Sequence, residues 1–429
     1  MGKALAMDDN NDYEVVIIGA GICGLATAVS LQKKGIKSVV MEASESLRNI
    51  TGAAITIHQN GWRALDHLGL ADTLRRTTIP IQRKGETRCL RRKDLIDTLY
   101  AALPPATVKF GCKLDSIKFD SKTTKSVLQF NDGSLIIAKV VIGCEGSTSI
   151  VANFLNLKPT KMFPFCEVRG LSNYPNGHSF DYEFTRFRKN NNLVGRTPID
   201  DKLVYWFCTQ PLIPGDERRW EDPELIRRST LALLNDYPQE IKEMIEIADA
   251  NSLSFSHLRY RSPLELLTGS FCKGKVTIAG DAMHVMGPFL GQGGSSGLED
   301  AVVIASNLDQ KGLDHVEDAF DLYVKKRRMR VVGLSVQTYL TAVQSLLTFN
   351  HSRNNSTFTV PEVIIATSHI PLLRNSFQDL PLISLLATRM CVKEPVVKLH
   401  RPSDCLNLPP PSVAACGHHQ PPPEYYLLL

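Results

Sequence analysis

The chain has 429 residues, 43% of them hydrophobic and 22% charged, with a formal net charge of +5. That is enough apolar material for two cores and too much for a disordered chain, while the small positive excess points to no particular partner and gives no reason to expect nucleic acid. The ten cysteines form no CxxC pair and no Cys/His cluster at metal spacing, so neither a disulfide framework nor a metal site is expected, and a reducing compartment is.

The opening residues, MGKALAMDDNNDYE, are acidic and lack an apolar core, unlike a signal or transit peptide. A cytoplasmic location is the expectation, with peripheral membrane contact left open. YEVVIIGAGICGLATAV then spells strand, glycine turn and helix. Gly19, Gly21 and Gly24 permit a tight turn, close approach to a pyrophosphate and close helix–strand packing, and the helix aims its first N–H groups at the phosphates. A second apolar strand, residues 37–41, ends in Glu42, placed to accept hydrogen bonds from an adenosine ribose. FAD and NAD both fit these residues. A hairpin follows, with residues 127–130 and 135–142 flanking an Asn131-Asp132-Gly133 turn.

Residues 13–164 alternate strands and helices, as a parallel sheet with crossovers requires. Residues 165–262 change texture, with strand-like pieces such as LVGRTP and KLVYWFCT between turns, and predict an inserted antiparallel sheet. Residues 263–345 return to the first texture. There, KVTIAG predicts a strand ending at Gly280–Asp281, a carboxylate able to bind a polyol. Pro288, Gly291, Gln292, Gly293 and Gly294 form a side-chain-poor loop against which a flat ring can lie, and the helix after it favours a reduced flavin's negative charge. This later segment decides for FAD.

The basic run YVKKRRMRVV, residues 323–332, reads as a solvated helix end. No stretch reaches the roughly 18 uninterrupted apolar residues of a membrane span. Residues 346–400 form a separate C-terminal segment, and the proline-rich residues 401–429 are expected to be disordered.

Six motifs carry a family resemblance: GAGICGL with Glu42, SLRNITGAAITIHQNGWRALDHLGL, RCLRRKDLIDTL, VVIGCEGSTSIVANFL, LRYRSPLELL and GDAMHVMGPFLGQGGSSGLEDA. With them the chain resembles the FAD-dependent aromatic-ring hydroxylases, above all the plant monooxygenases related to salicylate hydroxylase and zeaxanthin epoxidase. The resemblance implies an α/β fold, a Rossmann-like FAD-binding domain with an inserted antiparallel-sheet substrate domain. It further implies that NAD(P)H reduces FAD and that a C4a-hydroperoxide formed with O2 hydroxylates or epoxidises a small aromatic or isoprenoid substrate. By the same resemblance Gly19, Gly21, Gly24 and Glu42 hold the ADP half of FAD, Arg92 reaches its phosphate or ribityl region, and Gly280–Asp281 binds the ribityl hydroxyls. Arg48 matches a family arginine near the flavin and NAD(P)H, though a surface position fits it as well.

Two departures stand out. Glu145–Gly146 replaces the family's Asp-Gly, one methylene longer, which predicts slow hydride delivery unless a shifted backbone accommodates the acid. Between Arg76 and Arg91 the family carries a longer, strand-forming segment. No catalytic side chain is assigned, the flavin being the catalyst; His58, Tyr205 and His284 are candidate bases by position, though residues so placed are more often structural. The alternatives are a flavoprotein oxidase or reductase without oxygen insertion, and an impaired FAD-binding protein.

Overall fold

The computed structural model describes residues 12–47, 53–82, 85–120, 124–189, 191–212 and 222–351, apart from the side chains of 345–351. Arg48 and the proline-rich tail lie outside them.

The chain enters through β1 (Asp12–Ile18), α1 (Ile22–Lys33) and β2 (Val39–Met41). A small antiparallel pair, β3 (Ala54–Ile57) and β4 (Arg88–Arg91), brackets α2 (Gln59–Leu68) and α3 (Ala71–Arg75). Next come α4 (Arg92–Ala101), β5 (Val108–Lys109), β6 (Leu114–Asp120), β7 (Lys125–Phe130), β8 (Leu135–Gly143) and α5 (Ile150–Phe154). A long strand, β9 (Lys161–Asn173), opens the antiparallel sheet, followed by β10 (Thr185–Lys189), β11 (Asn192–Pro198) and β12 (Leu203–Pro211). Helices α6 (Pro223–Leu233) and α7 (Gln239–Glu246) precede the last strand of that sheet, β13 (Ser254–Tyr260). The remainder is α8 (Pro263–Thr268), β14 (Cys272–Lys273), β15 (Val276–Ile278), α9 (Asp281–His284), α10 (Gly293–Lys311) and α11 (Val316–His351).

Two sheets organise these elements. One has the order β14-β15-β8-β1-β2-β5 with β6 and β7 continuing from β8; β15, β8, β1, β2 and β5 are mutually parallel. Val15, Val16, Ile17 and Ile18 are all buried, the unbroken apolar run that a parallel strand covered on both faces demands. The strand that ends at Gly280 thus comes from far along the chain to pair with β8, and both stretches of α/β texture share one core. Gly24 lets α1 settle on β1: a Cβ there would lie 1.9 Å from the Gly19 carbonyl oxygen.

The second sheet has the order β10-β11-β12-β9-β13 and is antiparallel throughout. Its strands alternate with period two. Val204, Trp206 and Cys208 of β12 point into a core with Val168, Val194 and residues of α6 and α7 such as Ile226, Ile241 and Met244. Tyr205, Phe207 and Thr209 face the other way, toward a cavity.

The basic run of residues 323–332 lies inside α11 and is only partly solvated: Lys325 and Lys326 are exposed, while the arginines are engaged by other elements. Arg327 is 4% exposed and pairs with Asp300 and Glu299; Arg328 donates to the carbonyls of Leu266, Leu267 and Gly269; Arg330 pairs with Glu299. The helix continues through the run, so the carbonyl ends of α8 and the acids of α10 take up its charges. Among the described residues no helix is long and apolar enough to cross a membrane, and no group of acids, histidines and cysteines could hold a metal ion.

Candidate functional site

A single cavity of about 1220 Å³ runs from the glycine turn after β1 to the open face of the antiparallel sheet. Pockets for drug-sized ligands reach about 1,000 Å³, so this one has room for a dinucleotide and a second molecule. Of the residues singled out from the sequence, Gly19, Gly21, Glu42, His58, Arg92, Glu145, Gly146, Tyr205, Gly280, Asp281, Pro288, Gly291, Gly293 and Gly294 all line it. Gly24 and Gln292 do not line it.

At one end, the buried Glu42 carboxylate accepts from Ala20 N–H at 2.7 Å and Ser44 N–H at 2.9 Å. These bonds tie the strand-end acid to the glycine turn. Two helices, α1 and α10, begin at the cavity, and nothing stands within 4 Å of where a side chain at Gly21 would project. Helix N-termini reached through side-chain-free backbone attract anions. Arg92 begins α4 on the same wall.

Asp281 follows Gly280, whose φ of +61° is held by a bond from its N–H to Asp300 Oδ2 at 2.9 Å. The Asp281 carboxylate is open to the cavity, yet deep among protein groups. That depth raises its pKa, against the pull of His284, Arg92 and Arg169. A side chain at Gly293 would come within 3.8 Å of it, so the carboxylate and the start of α10 share one spot.

Below this spot lies a network that no local sequence pattern signals. Asp300 in α10, fully buried, accepts from His284 Nε2 at 2.5 Å and from Arg327 Nε at 2.6 Å. Burial alone would raise the Asp300 carboxyl; His284 and Arg327 overcome it and hold the group at about 2. His284 is therefore sealed away from the cavity and serves the turn from beneath. Its partner is 16 residues on in another helix, a distance no local spacing rule anticipates.

His58 and Tyr205 do reach the cavity. The His58 N–H bonds Ser295 Oγ at 3.1 Å, and a side chain at Gly291 would lie 3.1 Å from its Nε2. Burial pushes the Tyr205 phenol well above its ordinary range, against the attraction of nearby Arg169, so it stays protonated at neutral pH.

Glu145 has a local use for its extra methylene. Its carboxylate accepts from Ser149 Oγ at 2.6 Å and from the N–H groups of Ile150 and Val151 at 3.0 and 3.2 Å, capping α5. Burial raises its pKa despite these bonds. The short connection after α3 also closes on itself: Ile81 N–H donates to Thr87, and Ile79 and Gln82 N–H to Ile199 and Tyr182 of the antiparallel region. Ile81 and Thr87 line the cavity.

A family model described as an FAD binding domain matches residues 12–97 and 92–337. The chain belongs to that family. Monooxygenase 1 of Arabidopsis thaliana is 44% identical over 357 residues, covering 76% of this chain and 89% of its own. The FAD-dependent urate hydroxylase of Klebsiella oxytoca is 27% identical over 349 residues, covering 73% and 89%. Among solved structures, Klebsiella pneumoniae HpxO complexed with FAD and uric acid is similar with a TM-score of 0.67 at 23% identity, over 78% of this chain and 88% of that one. That likeness shows the fold. The protein is an FAD-dependent monooxygenase by family, and its mixed α/β fold with a separate antiparallel sheet agrees with the fold class read from the sequence.

Proposed function

We propose that this cavity holds FAD along its α/β wall and a small aromatic or isoprenoid substrate on the antiparallel sheet, which the enzyme hydroxylates or epoxidises at the expense of NAD(P)H and O2. The observation that carries the reading is the continuity of one cavity from Glu42, past the starts of α1 and α10 and Asp281, to Tyr205 and Phe207.

The residues present suit the cofactor, with open backbone at Gly21 and the starts of two helices facing the cavity. Gly19, Gly21 and Glu42 would take the ADP half, with Gly24 keeping α1 close behind; Arg92 would take the phosphate or ribityl region, and Asp281 the ribityl hydroxyls. Pro288 and the loop from Gly291 to Gly294 would lie along the ring system, and the N-terminus of α10 would favour negative charge there. When bound, FAD supplies the hydride acceptance and oxygen activation that no side chain of this chain offers.

The chain's own groups do the rest. Tyr205, protonated, offers a hydrogen bond to a substrate oxygen, and Phe207 supplies a flat apolar contact. His58, at the loop side, is the remaining candidate for moving a proton. The apolar lining of Ile55, Ile81, Leu193, Val285 and Phe289 excludes water, which keeps activated oxygen from being lost as H2O2.

The test is the rate of NAD(P)H oxidation with and without candidate phenols, aromatic acids and isoprenoids, together with the fraction of reducing equivalents recovered as H2O2. Stimulated oxidation with little H2O2 and an oxygenated product is expected. Stimulation that ends wholly as H2O2 identifies an oxidase, and FAD binding without any NAD(P)H oxidation identifies a non-catalytic flavoprotein.

A further inference from the structure

Cys23 and Cys144 come from elements far apart in the chain and meet on the wall of the cavity. Cys23 is the second residue of α1, and Cys144 directly follows β8; both line the cavity, Cys23 half-buried and Cys144 7% exposed. Both are free thiols, and their sulfurs stand 3.9 Å apart. A disulfide bond of about 2.0 Å requires them to close by roughly 2 Å.

What surrounds the pair decides what that closure does. Four glycines bring backbone close to it. A Cβ at Gly24 would lie 3.3 Å from Cys144 Cβ, and one at Gly19 would lie 2.7 Å from the Cys144 carbonyl oxygen. A Cβ at Gly280 would lie 2.9 Å from Cys23 Cβ and 3.1 Å from its sulfur, and one at Gly297 would lie 3.3 Å from Cys23 Cβ. The glycine turn, the end of β8, the Gly280–Asp281 turn and α10 thus converge on two side chains, and close packing passes a shift at the sulfurs on to them. Drawing the sulfurs together pulls the first turn of α1 toward β8 or withdraws Cys23 from beneath Gly280; either movement displaces backbone that faces the cavity. The Cys144 thiol and burial push the Cys23 thiol well above its usual range, which leaves little thiolate for dilute oxidants. Cys23 is the more open of the two to the cavity, so a small oxidant reaches its sulfur first.

We propose that Cys23 and Cys144 are a redox modification site: hydrogen peroxide joins them in a disulfide, and the joined form releases FAD. Peroxide first oxidises the Cys23 thiol to a sulfenic acid, its O–O bond breaking as the S–O bond forms and one water leaving. The Cys144 sulfur then attacks the Cys23 sulfur, the S–S bond replaces the S–O bond, and a second water departs. Over both steps two thiols give two electrons and two protons to one peroxide, which ends as two waters. An excess of another thiol reverses the change. In a compartment that keeps thiols reduced, such a disulfide is transient and reports an oxidising episode. Peroxide is also what this cavity would release whenever activated oxygen is lost to water. The cross-link follows from the placement of the two sulfurs; its effect on FAD rests on the cofactor placement proposed above.

The experiment treats the FAD-loaded full chain with hydrogen peroxide, follows flavin release by fluorescence, and maps cross-linked peptides by mass spectrometry without reductant. A peptide pair joined through Cys23 and Cys144 is expected, with FAD affinity lowered at least about tenfold and restored by dithiothreitol. Cys23→Ala and Cys144→Ala, each compared with its own untreated sample, should hold FAD unchanged through the same treatment. Four results would each overturn the proposal: no Cys23–Cys144 cross-link in the parent protein, a cross-link that leaves FAD affinity unaltered, a loss of FAD that dithiothreitol does not restore, or an equal loss from both variants. The peptide map needs no variant, so it decides the matter even where a substitution unfolds the chain. If the cross-link forms, FAD stays bound and Asp281→Ala loses FAD, the redox effect is wrong and the cofactor placement stands. If the cross-link and Asp281→Ala both leave FAD affinity unchanged, that placement falls as well.

Discussion

The two walls of the cavity are built on different principles. The α/β wall is made by backbone: a glycine turn, two helix starts and a positive-φ glycine, with few side chains projecting and with Glu42 and Glu145 tied to nearby N–H groups. The sheet wall is made by side chains, placed by strand register on one face of β9 to β13, with their backbones engaged in strand pairing. A wall of backbone can fit only one kind of partner, whereas a wall of alternating side chains can change its chemistry without altering the fold. The first suits an invariant cofactor and the second a particular substrate.

The sharpest way to break this contrast is to remove the support hidden beneath the backbone wall. Asp300→Ala leaves the buried Arg327 and His284 without their shared acceptor and frees the Gly280 N–H. A loss of about 3–5 kcal/mol in unfolding free energy is expected, with loss of FAD, by chemical denaturation and flavin content. A protein of unchanged stability would mean that Gly280 holds its turn unaided. The same group predicts a pH dependence. Its folded pKa of about 2 lies below the ordinary value near about 4, so its contribution is complete above the latter and is lost as pH falls from about 4 toward 2. Denaturation midpoints across that window should drop for the parent protein and drop less for Asp300→Asn.

Next in size is the ribose end. Glu42→Ala removes an acceptor from two backbone N–H groups and, on the proposed reading, from the cofactor, so FAD should bind roughly tenfold or more weakly, with Glu42→Asp and Glu42→Gln less affected. Equal affinity across the three variants, measured by flavin fluorescence, would detach Glu42 from the cofactor wall.

The smallest effect concerns Glu145. Because its carboxylate reaches the N-terminus of α5, Glu145→Asp should cost about 1 kcal/mol of stability through the lost cap. Reduction of FAD by NAD(P)H, followed by anaerobic stopped flow, should not speed up. A faster reduction at unchanged FAD content would restore the expectation, drawn from the sequence, that the longer acid slows hydride delivery.

What could be read in the sequence follows the same division. Gly19, Gly24 and Gly280 were legible because a side chain there would meet backbone or a strained φ, Gly21 because the motif leaves that position open toward the cavity, and Glu42 because it ends a strand directly after that motif. The strands of the antiparallel region were legible as strands, KLVYWFCT among them. Their facing was not: whether Tyr205 enters the core or the cavity depends on which neighbours β12 pairs with, and only the register places Trp206 beneath and Tyr205 and Phe207 above. Arg169 and Glu167 left no signal for that reason. Asp300 left none because its meaning lies in two partners, His284 and Arg327, brought together from separate helices. The basic run in α11 misled because the acids and carbonyls that receive it are distant in sequence.

The central claim, that FAD lies along the backbone wall with Asp281 as its anchor, is tested most directly by titrating FAD into purified Asp281→Ala. Loss of the carboxylate removes several hydrogen bonds to the ribityl chain, each worth roughly 0.5–1.5 kcal/mol. The account predicts a dissociation constant raised by at least about tenfold, with a circular dichroism spectrum matching that of the parent apoprotein. Parent affinity for FAD in Asp281→Ala would contradict it.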